Sequence, residues 1–331
     1  MEAFKLKLDE ALVREMGRHL QRASPAIDRA RFEAVALQGL DELELKARAH
    51  RIADALDAVL PADFDTAATV LEASLGPAGV GDDLSLLRTG ESGLAGWAVW
   101  PMTEFVARRG HDDVPRALAA LHAMTQRFSA EWAVRPFLLR HPELAFATLR
   151  QWTRDPSPHV RRLASEGSRP RLPWGMVLKP LVADPAPTLP LLRALQDDES
   201  AYVRRSVANH LNDIAKDHPA LVVQWLGEHL PGASPERRAL LRHASRTLVK
   251  KGHAGVLAAW GLGKPLKGEA TLKLDARKAS VGDTLGLAVT LRSRSRQAQA
   301  LELDYAVHHV KADGSTSAKV FKGWRMVLGP G

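Results

Sequence analysis

"DPSPHVRR" at residues 155–162 returns as "DESAYVRR" at residues 198–205, an offset of 43 that superposes Asp155 on Asp198, Val160 on Val203 and one arginine pair on the other. A weaker third copy, "ERRALLRHASR", begins at Glu236. A period of about 40 to 47 residues has room for two helices, and units of that size bury a core only by stacking on their neighbours. The repeat therefore restricts the chain to a HEAT-like array with an extended concave face. The aspartate just before the second helix of each unit is placed to cap it. The first interval is longer than two helices need, and the excess falls on "SRPRLPWGMVLKP", read as an inserted loop.

From residue 1 to about 260 the apolar positions recur at three and four, broken by Pro, Gly and Asp, the pattern of successive amphipathic helices. "LDELELKARAHRIADALDAVL", closed by Pro61, is one, and "HPELAFATLRQWTRD", opened near Pro142 and followed by Pro156, is another. Beyond "GLGKPLKGEA" the period drops to two. Leu285, Leu287, Val289 and Leu291 alternate with smaller residues, as do Leu301, Leu303, Tyr305 and Val307, with turn chemistry at "VGD" and "ADGS". The expected fold is mostly α: a HEAT-like α-solenoid of stacked helix pairs over 1–262 and a small C-terminal all-β immunoglobulin-like domain over 263–331. Some five strands fall short of the roughly 100 residues and seven strands of such a domain. The tail, ending "VLGPG", therefore reads as a truncated sandwich.

Charge narrows the partners. A formal net charge of +8 over 331 residues attracts polyanions, chiefly nucleic acid or anionic membrane. There is no cysteine, which removes disulfides, thiolate nucleophiles and thiolate metal sites together. The opening "MEAFKLKLDEALVREMGRHL" has no secretory apolar core, and no stretch approaches the roughly 18 apolar residues of a spanning helix. A cytoplasmic monomer without a membrane partner is expected. "GLGKPLKG" lacks the phosphate-loop spacing, "SEGS" is not a nucleophile elbow, and HExxH is absent. His308 and His309 fall on a strand, where neighbours point to opposite faces, so no metal and no cofactor are expected.

The richest chemistry lies in "HVRRLASEGSRPRLPW", residues 159–174, where Arg161, Arg162, Arg169 and Arg171 surround a single carboxylate, Glu166. On a helix from about 157 to 168, Val160, Leu163, Ala164 and Gly167 form the buried stripe, which puts Arg162, Glu166 and Arg169 together on the other face. Upstream, "FSAEWAVRPFLLRHP" spaces Glu131 and Arg135 four apart as on a helix, and downstream "YVRRSVANHLNDIAKDHP" spaces Asn209 and Asp213 likewise. Three successive second helices each offer an acid, so Glu131, Glu166 and Asp213 are expected to converge across neighbouring rungs.

Arginine's planar fork suits phosphate oxygens, whereas a carboxylate repels them. Glu166 makes sense there if it meets a positive charge, such as the oxocarbenium character that develops at C1′ when an N-glycosidic bond breaks. Plainer readings stand beside this one. Arg162 and Glu166 form an i,i+4 surface pair worth about 0.3 to 0.5 kcal/mol in that case. Asp213 pairs locally with Lys216, and the arginine run is a solvated face. Trp132, Trp152 and Trp225 are expected in the core, while Trp174, in the inserted loop, either stacks on a base or sugar or packs.

"VRRLASEGSRPRLPW", with "FSAEWAVRPFL" before it and "YVRRSVANHLNDIAKDHP" after it, resembles the bacterial DNA alkylation repair glycosylases of the AlkC type, relatives of the AlkD-type HEAT-like repeat enzymes. The likeness spans roughly residues 1 to 260, and a subset of that family carries an immunoglobulin-like domain after the repeats. The resemblance implies monofunctional excision of small cationic bases, 3-methyladenine and 3-methylcytosine, from alkylated double-stranded DNA, without a lysine nucleophile, metal or full extrusion of the base. It also implies catalytic roles for Glu166, Glu131 and Asp213, and DNA contacts by Arg162, Arg169, Arg171 and Trp174. Arg135 and Arg161 complete the DNA-binding set expected from the basic segment. The competing function is a non-catalytic repeat scaffold that binds damaged DNA.

Overall fold

The computed structural model describes residues 4–331, so the first three residues of the expected repeat domain lie outside the described residues. Among the described residues there are sixteen α-helices. They run α1 (Glu10–Ala23), α2 (Arg29–Leu37), α3 (Leu45–Val59), α4 (Phe64–Ala73), α5 (Val99–Arg109), α6 (Val114–Thr125), α7 (Arg135–Arg140) and α8 (Pro142–Trp152). They continue α9 (Pro158–Glu166), α10 (Lys179–Ala183), α11 (Leu189–Leu195), α12 (Ala201–Asp217), α13 (Pro219–His229), α14 (Pro235–Ala244), α15 (Arg246–Lys250) and α16 (Ala254–Ala259). Strands β1 (Gly268–Leu274), β2 (Leu287–Ser293), β3 (Gln299–Val310) and β4 (Thr316–Leu328) follow.

Local chemistry explains many of the helix starts. Asp9, Asp28, Asp63 and Asp113 each accept the backbone N–H three residues ahead, at 2.8 to 3.1 Å. Each such cap contributes about 1 kcal/mol. Pro136, Pro142 and Pro158 sit in the first turns of α7, α8 and α9, where a missing N–H costs nothing.

Two compact units emerge, one running to Asp217 and including residues 234–244, the other made of 218–233 and 245–331. In the first, α1 packs on α2, α2 on α3, α3 on α5, α5 on α6, α6 on α8, α8 on α9, α9 on α12 and α12 on α14. This is a stack of helices in chain order, as the repeat requires. Its core includes the fully buried Phe32, Phe105, Val160, Leu163, Ala164 and Leu211. In the second unit α13 and α15 pack on α16, so the compact units divide inside the helical sequence, although the strands themselves start only at Gly268.

The two repeat copies match atom for atom at their loops. Asp155 accepts the N–H of Ser157 at 2.8 Å, and Asp198 that of Ser200 at 2.9 Å. Arg161 donates to the carbonyls of Asp155 and Pro156, and its counterpart Arg204 to those of Asp198 and Glu199. The repeat aspartate thus closes a turn ahead of the helix. In α9 the N-cap position itself belongs to Ser157, whose side chain makes no cap bond.

Among the described residues the strands form two antiparallel pairs, β1 with β2 and β3 with β4, four strands where some five were expected. His308 faces Ala318 and His309 faces Ser317 across the second pair.

Candidate active site

The three predicted carboxylates come together, and they do so through arginines. Arg162 donates to Glu131 Oε2 at 2.8 Å and lies 3.6 Å from Glu166 Oε1. Arg169 donates to Glu166 Oε1 at 2.6 Å and, through Nε, to Asp213 Oδ2 at 2.8 Å. Lys216 closes the row on Asp213 Oδ1 at 2.8 Å. Acid and base alternate along a ladder that crosses three rungs: the turn before α7, the end of α9 and the middle of α12.

This ladder is not a surface feature. Glu166 is 5% exposed and Asp213 2%. Burial by itself raises a carboxyl group's pKa, but Arg162 and Arg169, aided by the Ser206 hydroxyl, outweigh it and hold Glu166 below the usual carboxylate range. Burial likewise works against the charge on Arg162 and Arg169, and their carboxylate partners more than restore it. The surface ion pair read from i,i+4 spacing is thus a buried network, where losing one partner costs about 3 to 5 kcal/mol.

One expectation about this row is corrected. Glu131 does not lie on a helix with Arg135; α7 begins only at Arg135, and Glu131 occupies the turn before it. There its Oε2 also accepts the Ser129 hydroxyl at 2.7 Å, while Oε1 has no hydrogen-bond partner among the described residues.

The arginines expected to meet DNA separate into three kinds. Arg162 and Arg169 belong to the ladder. Arg135 and Arg161 are structural, which corrects their expected place at a DNA surface. Arg135 is 0% exposed and gives its guanidinium to the carbonyls of Gly167, Arg169 and Met176 at 2.6 to 2.9 Å. Burial, with Arg169 nearby, pushes its pKa down to about 10. Arg161 ties one repeat to the next through Asp198, at 2.7 and 3.0 Å. Arg171 alone stays at the surface, its side chain 38% exposed and paired with Asp217 at 2.8 and 2.9 Å.

Trp174 is 70% exposed on the inserted loop and is the one non-glycine residue with positive φ, at 61°, among the described residues. A bulky residue in that conformation costs on the order of 1 to 3 kcal/mol and persists only where its surroundings impose it. Here Arg135 grips Met176 and Gly167, so one buried guanidinium fixes both the far side of the Trp174 loop and the residue after Glu166. Trp132 Nε1 donates to Pro173 at 3.3 Å from below.

With this geometry in view, the kinship of the chain can be read. The family model described as "DNA alkylation repair enzyme" matches residues 124–248, the segment that holds the whole ladder. The protein YhaZ of Bacillus subtilis, described as uncharacterised, is 36% identical over 320 residues, covering 95% of this chain and 83% of that protein. The chain belongs to the DNA alkylation repair enzyme family. The solved structure of Pseudomonas fluorescens alkylpurine DNA glycosylase AlkC, bound to DNA containing an abasic site analog, superposes with a TM-score of 0.88 at 36% identity. It covers 100% of this chain, which covers 88% of it. The model described as the C-terminal Ig-like domain of YhaZ matches residues 269–331, so the strand-rich tail is immunoglobulin-like.

Several side chains of this DNA alkylation repair enzyme site were missed in the sequence. Ser206 donates to Glu166 Oε2 at 2.6 Å, and Tyr202 lies under the Arg162 guanidinium, 4.9 Å from CZ to ring centroid. His210, fully buried, holds Ser165 O through Nδ1 at 2.9 Å. Helical periodicity offered the signal: Tyr202, Ser206, His210 and Asp213 recur at steps of three or four on one face of α12. Among the described residues, no cluster of three or more His, Asp or Glu is arranged to hold a metal ion.

Proposed function

We propose that this chain is a DNA glycosylase that hydrolyses the N-glycosidic bond of small cationic alkylated bases, 3-methyladenine and 3-methylcytosine, in double-stranded DNA without fully extruding the base. The observation that carries the reading is the ladder, in which Arg162 and Arg169 hold the half-buried Glu131 and the buried Glu166 and Asp213 in one row. The likeness to AlkC solved on abasic DNA, and a net charge of +8, support double-stranded DNA as the partner.

An alkylated base already carries a positive charge, so it leaves with the bonding electron pair as a neutral molecule. Positive charge passes to C1′ and the ring oxygen of the sugar, and a preorganised row of carboxylates stabilises that charge where it develops. Glu131 Oε1, the unpartnered oxygen of the row, orients a water molecule and accepts its proton as the oxygen bonds to C1′. Glu166 remains ionised and supplies field. Arg162 fixes Glu131 from one side, and Asp213, through Arg169, fixes Glu166 from the other. The products are the free base and an abasic sugar with a hydroxyl at C1′.

The test incubates purified protein with N-methylated DNA and measures released base by chromatography, for wild type, Glu131→Gln and Glu166→Gln. Wild type is expected to release methylated base, and both variants to lose about 10² to 10³ in single-turnover rate while retaining affinity for an abasic duplex. Duplex binding with no release from any methylated DNA would overturn the glycosylase and leave the binding scaffold.

A further inference from the structure

Arg162 bridges the first two acids of the ladder with one planar group. Its Nη1 donates to Glu131 Oε2 at 2.8 Å and to the Ser129 hydroxyl at 3.0 Å, and its Nη2 lies 3.6 Å from Glu166 Oε1. Ser129 in turn donates to the same Glu131 oxygen at 2.7 Å. These contacts all run from the edge of the guanidinium, and bonds at one edge leave the plane free to tilt on its flexible stem. What holds Glu131 therefore depends on what holds the face of Arg162. That face lies over the Tyr202 ring, with Cζ 4.9 Å from the centroid.

Tyr202 comes from α12, the next rung, and is itself held. The buried His159 meets it edge-on, ring centroids 5.8 Å apart at 72°. Burial, with Arg162 alongside, lowers the His159 pKa against the pull of Asp82 and Asp83, so that imidazole stays uncharged beside the tyrosine. Burial likewise raises the Tyr202 pKa, opposed by Arg162 and helped by Glu131 and Glu166. The ring under Arg162 is thus a neutral phenol, whose face attracts a cation.

The repeat supplies a comparison within the same chain. At the offset of 43, Arg162 becomes Arg205 and Glu166 becomes Asn209. Arg205 is exposed, whereas Arg162 is half-buried with its side chain 17% exposed. One helix position thus carries a surface cation in one copy and a held cation in the other. The difference lies in what surrounds it: Glu131, Glu166 and the Tyr202 ring.

We propose that Tyr202 is a positioning residue for the reaction, its ring face fixing the plane of the Arg162 guanidinium and, through it, the Glu131 carboxylate that orients the water. This role rests on the proposed glycosylase reading. A displacement of about 1 Å in a reacting group costs on the order of 10² in rate. The contribution belongs to the ring face and not to the hydroxyl, so phenylalanine retains it and leucine does not.

The test compares wild type, Tyr202→Phe and Tyr202→Leu by single-turnover release of base from N-methylated DNA and by affinity for an abasic duplex. Tyr202→Leu is expected to lose about 10- to 10²-fold in rate with affinity held within about twofold. Tyr202→Phe should restore the rate to within about threefold of wild type. In Glu131→Gln, adding Tyr202→Leu should cost no more than about twofold further, because its effect runs through that carboxylate. A second readout needs no turnover: the Arg162 Nε–H signal, displaced by the ring current of residue 202, should persist in Tyr202→Phe and move to the position of an unstacked arginine in Tyr202→Leu. A phenylalanine variant as slow as the leucine one, an undiminished loss in Glu131→Gln, or an Arg162 signal indifferent to leucine would each overturn the proposal. Excision by wild type that leucine leaves unchanged sinks the positioning role and keeps the glycosylase. No excision by wild type sinks the glycosylase, and the Arg162 signal then decides by itself whether Tyr202 holds the guanidinium.

Discussion

Arg169 Nε meets Asp213 Oδ2 at 2.8 Å, joining the end of one rung to the middle of the next across 44 residues of chain. The same guanidinium holds Glu166 at 2.6 Å, so one cation serves two carboxylates that are both almost out of water. Replacing it with methionine of similar length leaves both anions without that partner. Arg169→Met is expected to lower unfolding free energy by about 3 to 5 kcal/mol, read from urea titration. Arg171→Ala, which removes an exposed pair with Asp217, should cost far less. Equal losses in the two variants would contradict the buried ladder.

Arg135 carries a different prediction because its partners are carbonyls. Four of its hydrogen bonds reach Gly167, Arg169 and Met176, a fork that a lysine ammonium cannot reproduce. Arg135→Lys keeps the charge yet strands buried carbonyls, at about 1 to 3 kcal/mol each. The loop around Trp174 should loosen with it. Hydrogen exchange at residues 168–178 is expected to accelerate well beyond exchange in α5, and uniform acceleration would deny the specific clasp.

Acid should weaken the fold through His210. Burial lowers its pKa to about 4, against the slight help of Ser165 O and Asp213, with Arg169 and Glu166 also facing it. Its Nε2 has no partner, so a second proton gains nothing there. The folded imidazole therefore binds its proton less readily than the unfolded one. Its contribution is complete above about pH 6.5 and is lost as pH falls towards 4, on the order of 3 kcal/mol. His19, His50, His111 and His159 are shifted in the same direction by burial and add to the slope. His210→Gln should flatten the dependence of unfolding free energy on pH between 6.5 and 4, whatever it does to stability at neutral pH. An unchanged slope would assign the acid sensitivity elsewhere.

These residues also show how far the chain could be read before its coordinates. Val160, Leu163 and Ala164 are buried as the three-and-four spacing required, and the same spacing placed Arg162, Glu166 and Arg169 side by side. Convergence of Glu166 and Asp213 followed from the stacking of successive helices, whereas Glu131 joins them from the turn ahead of α7. Glu131 departed from its expected helix because α7 starts with Pro136 in its first turn, which favours a helix beginning there and leaves the acid on the preceding turn. Arg135 and Arg161 were assigned to DNA because composition registers charge but not partners. Their partners lie 32 to 41 positions away, on carbonyls and on Asp198, at separations that no local pattern encodes. The contact of Trp100 with Trp132, ring centroids 4.7 Å apart, was invisible for the same reason, since α5 and the turn before α7 meet only in space.

Trp174 gives the most direct contest between stability and function. Its φ of 61° is strained for an indole-bearing residue and unstrained for glycine, while its side chain, 70% exposed, contributes little packing. Glycine gives back part of the gain by loosening the unfolded chain, at about 0.4 to 1 kcal/mol. Trp174→Gly is therefore expected to stabilise the protein by about 1 kcal/mol, whereas Trp174→Ala, which keeps the strain and loses the ring, should not. Both variants should release methylated base more slowly than wild type, because each removes the indole. A glycine variant that is less stable than wild type would mean that the ring packs more firmly than its exposure implies. One that is more stable yet fully active would mean that the strain at Trp174 is unrelated to the reaction.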